Sequence, residues 1–150
     1  MPMKEPRPAS YFRLTLGGHE AVGVFKEASG FDSESEVIEH VATDANGHPF
    51  KRKVVGNEKW SNIVLKRGVD ESLDIWKWRD TVVKEGADKA RVDGKIELLA
   101  IDSPESPIAT YQFKQGWPIK YVAATLDAST NNVALEELHI CHEGFERMPA

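Results

Sequence analysis

A cluster of potential metal ligands and nucleophiles lies near the C-terminus, in the segment His139-Ile140-Cys141-His142-Glu143. On a β-strand, His139, Cys141 and Glu143 would project from one face at steps of about 7 Å, while His142 would point to the other. Zinc ligands must converge to about 2.0 to 2.3 Å from one point, which residues along one straight strand cannot do. Cys141 and His142, on opposite faces, cannot act as a nucleophile and its base. The segment therefore predicts a half-buried strand with no metal site.

Motifs that would indicate other chemistry are absent from the chain. It contains no Gly-x-Ser-x-Gly elbow, no phosphate-binding Gly-x-x-x-x-Gly-Lys-Ser/Thr loop and no Gly-x-Gly-x-x-Gly fingerprint. The 24 acidic residues are scattered along the sequence, so no carboxylate pair stands out for acid–base work. We predict that the chain has no catalytic residue, is not an enzyme and takes no cofactor.

One stretch of the sequence is basic and surrounds Trp60; it contains Lys51, Arg52, Lys53, Lys59, Lys66 and Arg67. A basic patch with an aromatic residue is typical of proteins that bind single-stranded nucleic acid. The preceding stretch, residues 32–44, is acidic and contains Glu34, Glu36, Glu39 and Asp44. Because adjacent stretches of opposite charge are expected where copies of one chain associate, we favour self-association over nucleic-acid binding.

Length and composition indicate one globular domain. The chain has 150 residues and a formal charge of -5, from 19 basic and 24 acidic side chains. A domain of this size buries roughly 70% of its extended surface, enough for a core without disulfides or metal. Cys141 is the only cysteine, so no intramolecular disulfide can form, and a reducing compartment is expected.

The ends of the chain and its hydropathy add two expectations. Residues 1–10 carry three prolines and no apolar run, so they predict a flexible arm and not a signal peptide, with the domain proper at residues 11–150. No stretch approaches the ~18 to 20 apolar residues of a membrane helix.

Alternation of apolar and polar side chains predicts β-strands along most of the domain, at residues 11–16, 21–26, 33–41, 58–67, 92–101, 111–115, 119–126 and 133–142. Residues 43–57 contain Asn46-Gly47, Pro49 and Gly56, and they predict a long loop with a basic tip at residues 51–53. One helix is predicted at about residues 70–85, capped by Asp70 and ended by Gly86. The fold class is α+β and mainly β: two antiparallel sheets forming a sandwich or barrel, with one packed helix.

Five motifs occur in an order that resembles a known family. They are residues 25–30 (Phe-Lys-Glu-Ala-Ser-Gly), 62–69 (Asn-Ile-Val-Leu-Lys-Arg-Gly-Val), 73–78 (Leu-Asp-Ile-Trp-Lys-Trp), the aromatic segment 111–118 that ends in Trp-Pro, and 134–138 (Ala-Leu-Glu-Glu-Leu). The chain resembles the tail tube proteins of contractile-tailed bacteriophages and the inner-tube proteins of phage-tail-like contractile injection systems.

The resemblance implies a structural protein. Six copies would form a ring, and rings would stack into a rigid tube inside a sheath whose contraction drives the tube through a target envelope. A baseplate hub and terminator or cap proteins would close the two ends, and the lumen would carry DNA or protein cargo. Assembly would take place in the bacterial cytoplasm, in a phage or phage-tail-like particle released by lysis.

Two hypotheses place residues in this assembly, and one alternative remains. We expect Lys51, Arg52 and Lys53 of one ring to meet the acidic residues Glu34, Glu36, Glu39 and Asp44 of the next, with Arg67 as a further contact between subunits. We expect Asp93, Lys95 and Glu97 to line the lumen, where polar side chains keep cargo from sticking. The alternative is a monomeric β-barrel that binds a small ligand or nucleic acid.

Overall fold

The computed structural model describes residues 10–17, 21–68, 73–123 and 135–149. Ten strands and two helices follow one another in these ranges: β1 Ser10–Leu16, β2 Ala21–Phe25, β3 Glu27–Ser29, β4 Ser33–Thr43, β5 Pro49–Trp60, β6 Ile63–Gly68, α1 Asp74–Glu85, α2 Ala87–Ala90, β7 Val92–Ala100, β8 Ala109–Val122, β9 Leu135–Cys141 and β10 Phe145–Met148. The arm expected at residues 1–10 falls outside the described residues except for Ser10, which begins β1. The cap expected at Asp70 also falls outside them.

Two antiparallel layers are built from one continuous path of strands, in the order β2-β1-β7-β8-β9-β6-β3, with β10 added beside β8. Strand β8 belongs to both layers, since its first half pairs with β7 and β10 and its second half pairs with β9. The strands at the two ends of the path, β2 and β3, are not paired with each other. The predicted sandwich is therefore confirmed, and the sheet is not closed into a barrel.

Strand β8 turns from one layer to the other at Gln115 and Gly116. Gln115 has a φ of +51°, and a Cβ on Gly116 would lie 2.3 Å from the Phe113 ring, so this position has no room for a side chain. The sequence predicted two strands separated by a turn at residues 116–118. A single bent strand forms instead, because β9 pairs with the second half and keeps it extended through Pro118.

The core fills the space between the layers and under the helix. Leu14, Ile96 and Phe113 come from one layer, and Leu65 and Ile140 come from the other. Helix α1 packs against β8 and β2 and contributes the buried residues Ile75 and Trp78. Trp78 also donates its indole N–H to the carbonyl oxygen of Ala90 at 2.9 Å. Trp76 is not part of this core: its side chain is 49% exposed, and its ring meets that of Tyr121 on β8 at 5.5 Å between centroids.

Strands β4 and β5 form a separate two-stranded sheet. The predicted loop at residues 43–57 is wrong, since the turn spans only the few residues between Thr43 and Pro49. Asp44 holds this turn by accepting hydrogen bonds at Oδ1 from the backbone N–H groups of Asn46 (2.9 Å) and His48 (2.8 Å). The turn signals at Pro49 and Gly56 misled the prediction, because an edge strand of an exposed hairpin tolerates both residues.

Candidate assembly surfaces

The hairpin β4–β5 is long compared with the domain that carries it. Its strands have 11 and 12 residues, which at about 3.3 Å per residue gives a length of roughly 35 to 40 Å. A domain of this size has a radius of gyration of about 15 Å. The hairpin can therefore reach a neighbouring molecule.

The residues predicted to meet across rings, apart from Arg67, lie on this hairpin. Its register places Glu34 opposite Lys59, Glu39 opposite Lys53, and Val41 opposite Lys51. The Lys59 ammonium lies 3.1 Å from the Glu36 carboxylate. Acidic and basic stretches thus lie side by side in one protomer, and residues 51–53 form part of strand β5 and not a loop tip.

Apolar side chains of the hairpin are exposed on both of its faces. Val37 pairs with Val55 on one face, and Ile38 pairs with Val54 on the other. The exposed fractions are 63% for Val37, 53% for Ile38, 78% for Val55 and 36% for Val54; Val41 (69%) and Phe50 (46%) are also exposed. Only charged residues of this segment were predicted to make contacts between subunits, and these apolar residues were not. Their signal is the two adjacent apolar pairs, Val37-Ile38 and Val54-Val55, within an otherwise charged segment.

The three residues predicted to line the lumen share one face of β7, opposite the core residue Ile96. Asp93 and Lys95 are exposed. Glu97 is almost fully covered and forms ion pairs with Arg13 at 3.1 Å and with Lys95 at 3.7 Å. Asp93 and Lys95 are thus accessible at the surface of the protomer, although Asp93 Oδ1 accepts a hydrogen bond from the backbone N–H of Gln115 at 3.0 Å. The Glu97 carboxylate is occupied within the sheet.

Arg67 lies inside the protomer and is only 4% exposed. Its Nε donates to Glu136 Oε1 at 2.5 Å, and its guanidinium lies 5.4 Å from the centre of the Phe25 ring. Tyr121 donates its hydroxyl hydrogen to the other oxygen of Glu136. This arrangement joins β2, β6, β8 and β9, so these contacts of Arg67 lie within one protomer.

Tyr121 should make stability sensitive to strongly alkaline pH. Burial, and after it the hydrogen bond to Glu136, raises the pKa of Tyr121 to about 12 from 10.0. The folded state therefore favours the neutral phenol. The stabilisation of the folded state that results is complete below pH 10 and is lost as the pH rises to about 12. Chemical denaturation at pH 9 and pH 11.5 should show a smaller pH-dependent loss for Tyr121→Phe than for the wild type. An equal loss in both proteins would contradict this.

The base of the hairpin is fixed to the sandwich by aromatic side chains. The Phe31 ring stacks on Tyr111 at 4.5 Å between centroids, and the Trp60 ring meets Phe145 at 5.2 Å. Gly30, just before β4, has a φ of +89°, and a Cβ there would lie 1.9 Å from the Asn62 carbonyl oxygen. The base of the hairpin therefore allows little freedom in the direction that the hairpin takes.

The outer face of the second layer carries a row of charges instead of a metal site. Glu137 contacts Lys66 at 3.3 Å and His139 at 3.1 Å, and the hydrogen bond from His139 is the main cause that lowers the pKa of Glu137. Cys141 lies opposite Trp117 on the same face. Among the described residues, no group of three or more His, Cys, Asp or Glu side chains is arranged to hold a metal ion.

One surface groove bears on the alternative of a protein that binds a small ligand. The groove, of about 330 Å³ beside β3, is lined partly by the charged residues Lys26, Glu27 and Lys66, whereas small-molecule pockets are mostly apolar. Within the described ranges, no helix has the length and apolar character needed to cross a membrane.

Comparison with solved structures shows the same fold in other proteins. A chain of the PVC sheath-tube complex, an extracellular contractile injection system in the extended state, is 22% identical with a TM-score of 0.74, over 99% of this chain and 95% of that chain. A chain of the anti-feeding prophage cap, which terminates its tube, is 23% identical with a TM-score of 0.76, over 100% and 95% of the two chains. Hcp1 from Flavobacterium johnsoniae is 18% identical with a TM-score of 0.53, over 91% and 94%.

The family assignment rests on a sequence comparison. No curated protein matches the chain. The family model described as T4-like virus tail tube protein gp19 matches residues 8–146, which is nearly the whole chain. The chain therefore belongs to the T4-like tail tube protein family and is a structural tube protein.

Proposed function

We propose that this chain forms hexameric rings that stack into the inner tube of a contractile phage tail or phage-tail-like injection particle. The observation that carries the proposal is the hairpin β4–β5, whose large apolar side chains are exposed on both faces of the isolated protomer. Exposed apolar surface of this kind marks a protein interface. Since both faces are apolar in part, each hairpin lies between two other subunits.

The charges of the hairpin suggest which part of a neighbour it meets. Its base carries four carboxylates and one lysine: Asp32, Glu34, Glu36, Glu58 and Lys59. Its outer half carries Lys51, Arg52 and Lys53 against Glu39 and Asp44. A hairpin that reaches along the tube axis brings its basic outer half to the acidic base of a hairpin in the adjacent ring. This keeps the proposed contact between rings and assigns Glu34 and Glu36 to its acidic side.

The surroundings of the tube follow from the same assembly. The similar chains come from structures of a sheath-tube complex, a tube-terminating cap and a baseplate. We extend these partners to this chain: a contractile sheath around the tube, with a cap and a baseplate hub at its ends. The lumen carries protein or DNA cargo past Asp93 and Lys95, and the tube itself performs no chemistry. Assembly takes place in the bacterial cytoplasm, and lysis releases the particle.

Reversing the basic charges of the hairpin should prevent tube formation without unfolding the protomer. The triple substitution of Lys51, Arg52 and Lys53 by glutamate places Glu39 opposite a new carboxylate, which costs less than about 1 kcal/mol in an exposed strand pair. We expect negative-stain images to show tubes for the wild type and none for this variant, with unchanged circular dichroism. The charge-conserving control Lys51→Arg, Arg52→Lys, Lys53→Arg should still form tubes. Normal tubes from the glutamate variant would refute the contact between rings.

Size separates the proposed assembly from the alternative functions. A β-barrel that binds a ligand or nucleic acid would elute near 16.8 kDa, whereas a ring of six would elute near six times that mass. Light scattering of the purified chain, followed by imaging, should show rings or tubes. A strictly monomeric protein under all tested salt and protein concentrations would overturn the proposed function.

A further inference from the structure

We infer that His142, in its neutral form, fixes the direction of the hairpin β4–β5, and that protonation of His142 releases it. Tube assembly would then be sensitive to mildly acidic pH. This inference rests on the proposed function, because it concerns the element through which subunits are expected to meet. His142 is a positioning residue in this account, since it acts through the base of the hairpin.

The hydrogen bonds of His142 allow only one protonation state. Nε2 lies 2.9 Å from the carbonyl oxygen of Ser61, the residue after β5, and that oxygen can only accept. The backbone N–H of Gly144 donates to Nδ1 at 3.0 Å, so Nδ1 must carry a lone pair. Both bonds exist together only in the neutral imidazole with its hydrogen on Nε2.

The imidazole ring is also packed within the aromatic cluster at the base of the hairpin. Its centroid lies 6.2 Å from Trp60, 6.0 Å from Phe145 and 6.4 Å from Phe113. Trp60 is the last residue of β5, whereas Phe113 and Phe145 belong to the sandwich. His142 therefore contacts the end of the hairpin's returning strand through a hydrogen bond to Ser61, and it contacts β8 and β10 through its ring.

Protonation of Nδ1 would turn one of these bonds into a repulsion. A hydrogen on Nδ1 points at the N–H of Gly144, so the acceptor is lost and two donors face each other. Gly144 cannot withdraw easily, because its own carbonyl accepts from the N–H of Lys114 at 2.9 Å. The ring must then rotate or move, and the bond to Ser61 is broken with it. Histidine is the side chain whose charge most often changes between pH 5 and 8, so the experiment compares pH 7.5 with pH 5.5.

Three charged residues on the segments around His142, which are β5, β8 and the residues after β9, form ion pairs. Glu143, next in the chain, contacts Arg91 at 3.5 Å, Lys114 on β8 contacts Glu146 on β10 at 3.7 Å, and Lys59 on β5 contacts Glu36 at 3.1 Å. Strands β5, β8, β9 and β10 carry further titratable groups, among them Glu58, Tyr111, Arg147 and Cys141, of which Cys141 lies on the opposite face of β9. Each of the three ion pairs balances its own charge, which leaves the hydrogen-bond pattern of His142 to set the response.

Hydrogen exchange followed by mass spectrometry tests the inference on the full chain. After correction for the intrinsic exchange rate, we expect amides of residues 49–62 to lose protection by about tenfold between pH 7.5 and pH 5.5, as for one lost hydrogen bond. His142→Asn keeps an acceptor near Gly144 and cannot be protonated, so its protection should not change with pH. His142→Gln, which keeps a donor for Ser61, serves the same purpose if the asparagine variant does not fold.

Controls separate His142 from the two histidines of the hairpin and from the tube proposal. The double variant His40→Asn, His48→Asn removes the two histidines of the hairpin itself and should keep the wild-type response. The inference would be overturned if protection in the wild type were the same at pH 7.5 and pH 5.5. It would also be overturned if the His142 variants lost as much protection at pH 5.5 as the wild type. If wild-type tubes form at pH 7.5 and persist at pH 5.5, the inference fails while the proposed function stands. If no tubes form at any pH, the proposed function fails, and exchange still tests the role of His142.

Discussion

Replacing Glu136 by leucine is expected to lower the free energy of unfolding by about 3 to 5 kcal/mol, the range found when one partner of a buried ion pair is removed. Glu136 is 6% exposed and accepts hydrogen bonds from both Arg67 and Tyr121. The leucine side chain fills a similar volume but offers no acceptor to either group. The Arg67 guanidinium, 4% exposed, then loses its hydrogen bond and ion pair to Glu136. Urea denaturation of the wild type and the variant at pH 7.5 measures the difference.

The adjacent residue provides a matched control. Glu137 is the same residue type on the same strand, but it lies on the opposite face and contacts Lys66 and His139 with its side chain 30% exposed. Glu137→Leu should cost no more than about 1 kcal/mol, as for other exposed ion pairs. The double variant Arg67→Met, Glu136→Leu should be more stable than Glu136→Leu alone, since it removes the buried charge as well. Similar losses for Glu136→Leu and Glu137→Leu would contradict the role assigned to the buried pair.

The sandwich could be predicted from the sequence because its strands alternate regularly. In β6 and β9, the buried residues Ile63, Leu65, Leu138 and Ile140 follow a period of two, which only one face of a sheet can satisfy. Strand β8 was harder, because Gly116 and Pro118 are local turn signals that pairing with β9 overrides. Strands β3 and β10 are too short to show an alternation of apolar and polar residues, and pairing with neighbouring strands fixes their conformation.

The proposed assembly surface could be predicted only in part from the sequence, for a physical reason. The hairpin exposes both of its faces in the protomer, so neither face shows the polar and apolar alternation that one buried face imposes on a strand. The charged residues of the hairpin were predicted to make contacts. The pairing of Val37 with Val55 and of Ile38 with Val54 depends on the register of the two strands, which the sequence pattern alone did not predict. His142 was set aside because it points away from Cys141, and that same orientation brings it to Ser61.

Gly30→Ala is expected to be the most damaging single substitution at the base of the hairpin. The new Cβ would lie 1.9 Å from the carbonyl oxygen of Asn62 and 3.1 Å from the Cα of Ile63, and both are backbone atoms that cannot rotate away. The φ of +89° adds about 1 kcal/mol of strain for any residue with a Cβ. We expect the free energy of unfolding to fall by about 3 kcal/mol or more, because the backbone at Gly30 must move away from the backbone at Asn62, where the hairpin joins the sandwich.

Gly47→Ala measures the cost of the left-handed backbone conformation without a steric clash. Gly47, in the turn of the same hairpin, has a φ of +80°, and no atom lies within 4 Å of the position that a Cβ would occupy. This variant should lose only about 1 kcal/mol, the strain of a left-handed conformation. Thermal denaturation of the protomers compares the two costs, and negative-stain imaging compares their tubes. If the base of the hairpin sets its direction, Gly30→Ala abolishes tubes at temperatures where the protomer is still folded, whereas Gly47→Ala retains them. Equal losses of stability in the two variants would show that the close approach of Gly30 to Asn62 is not what holds this junction.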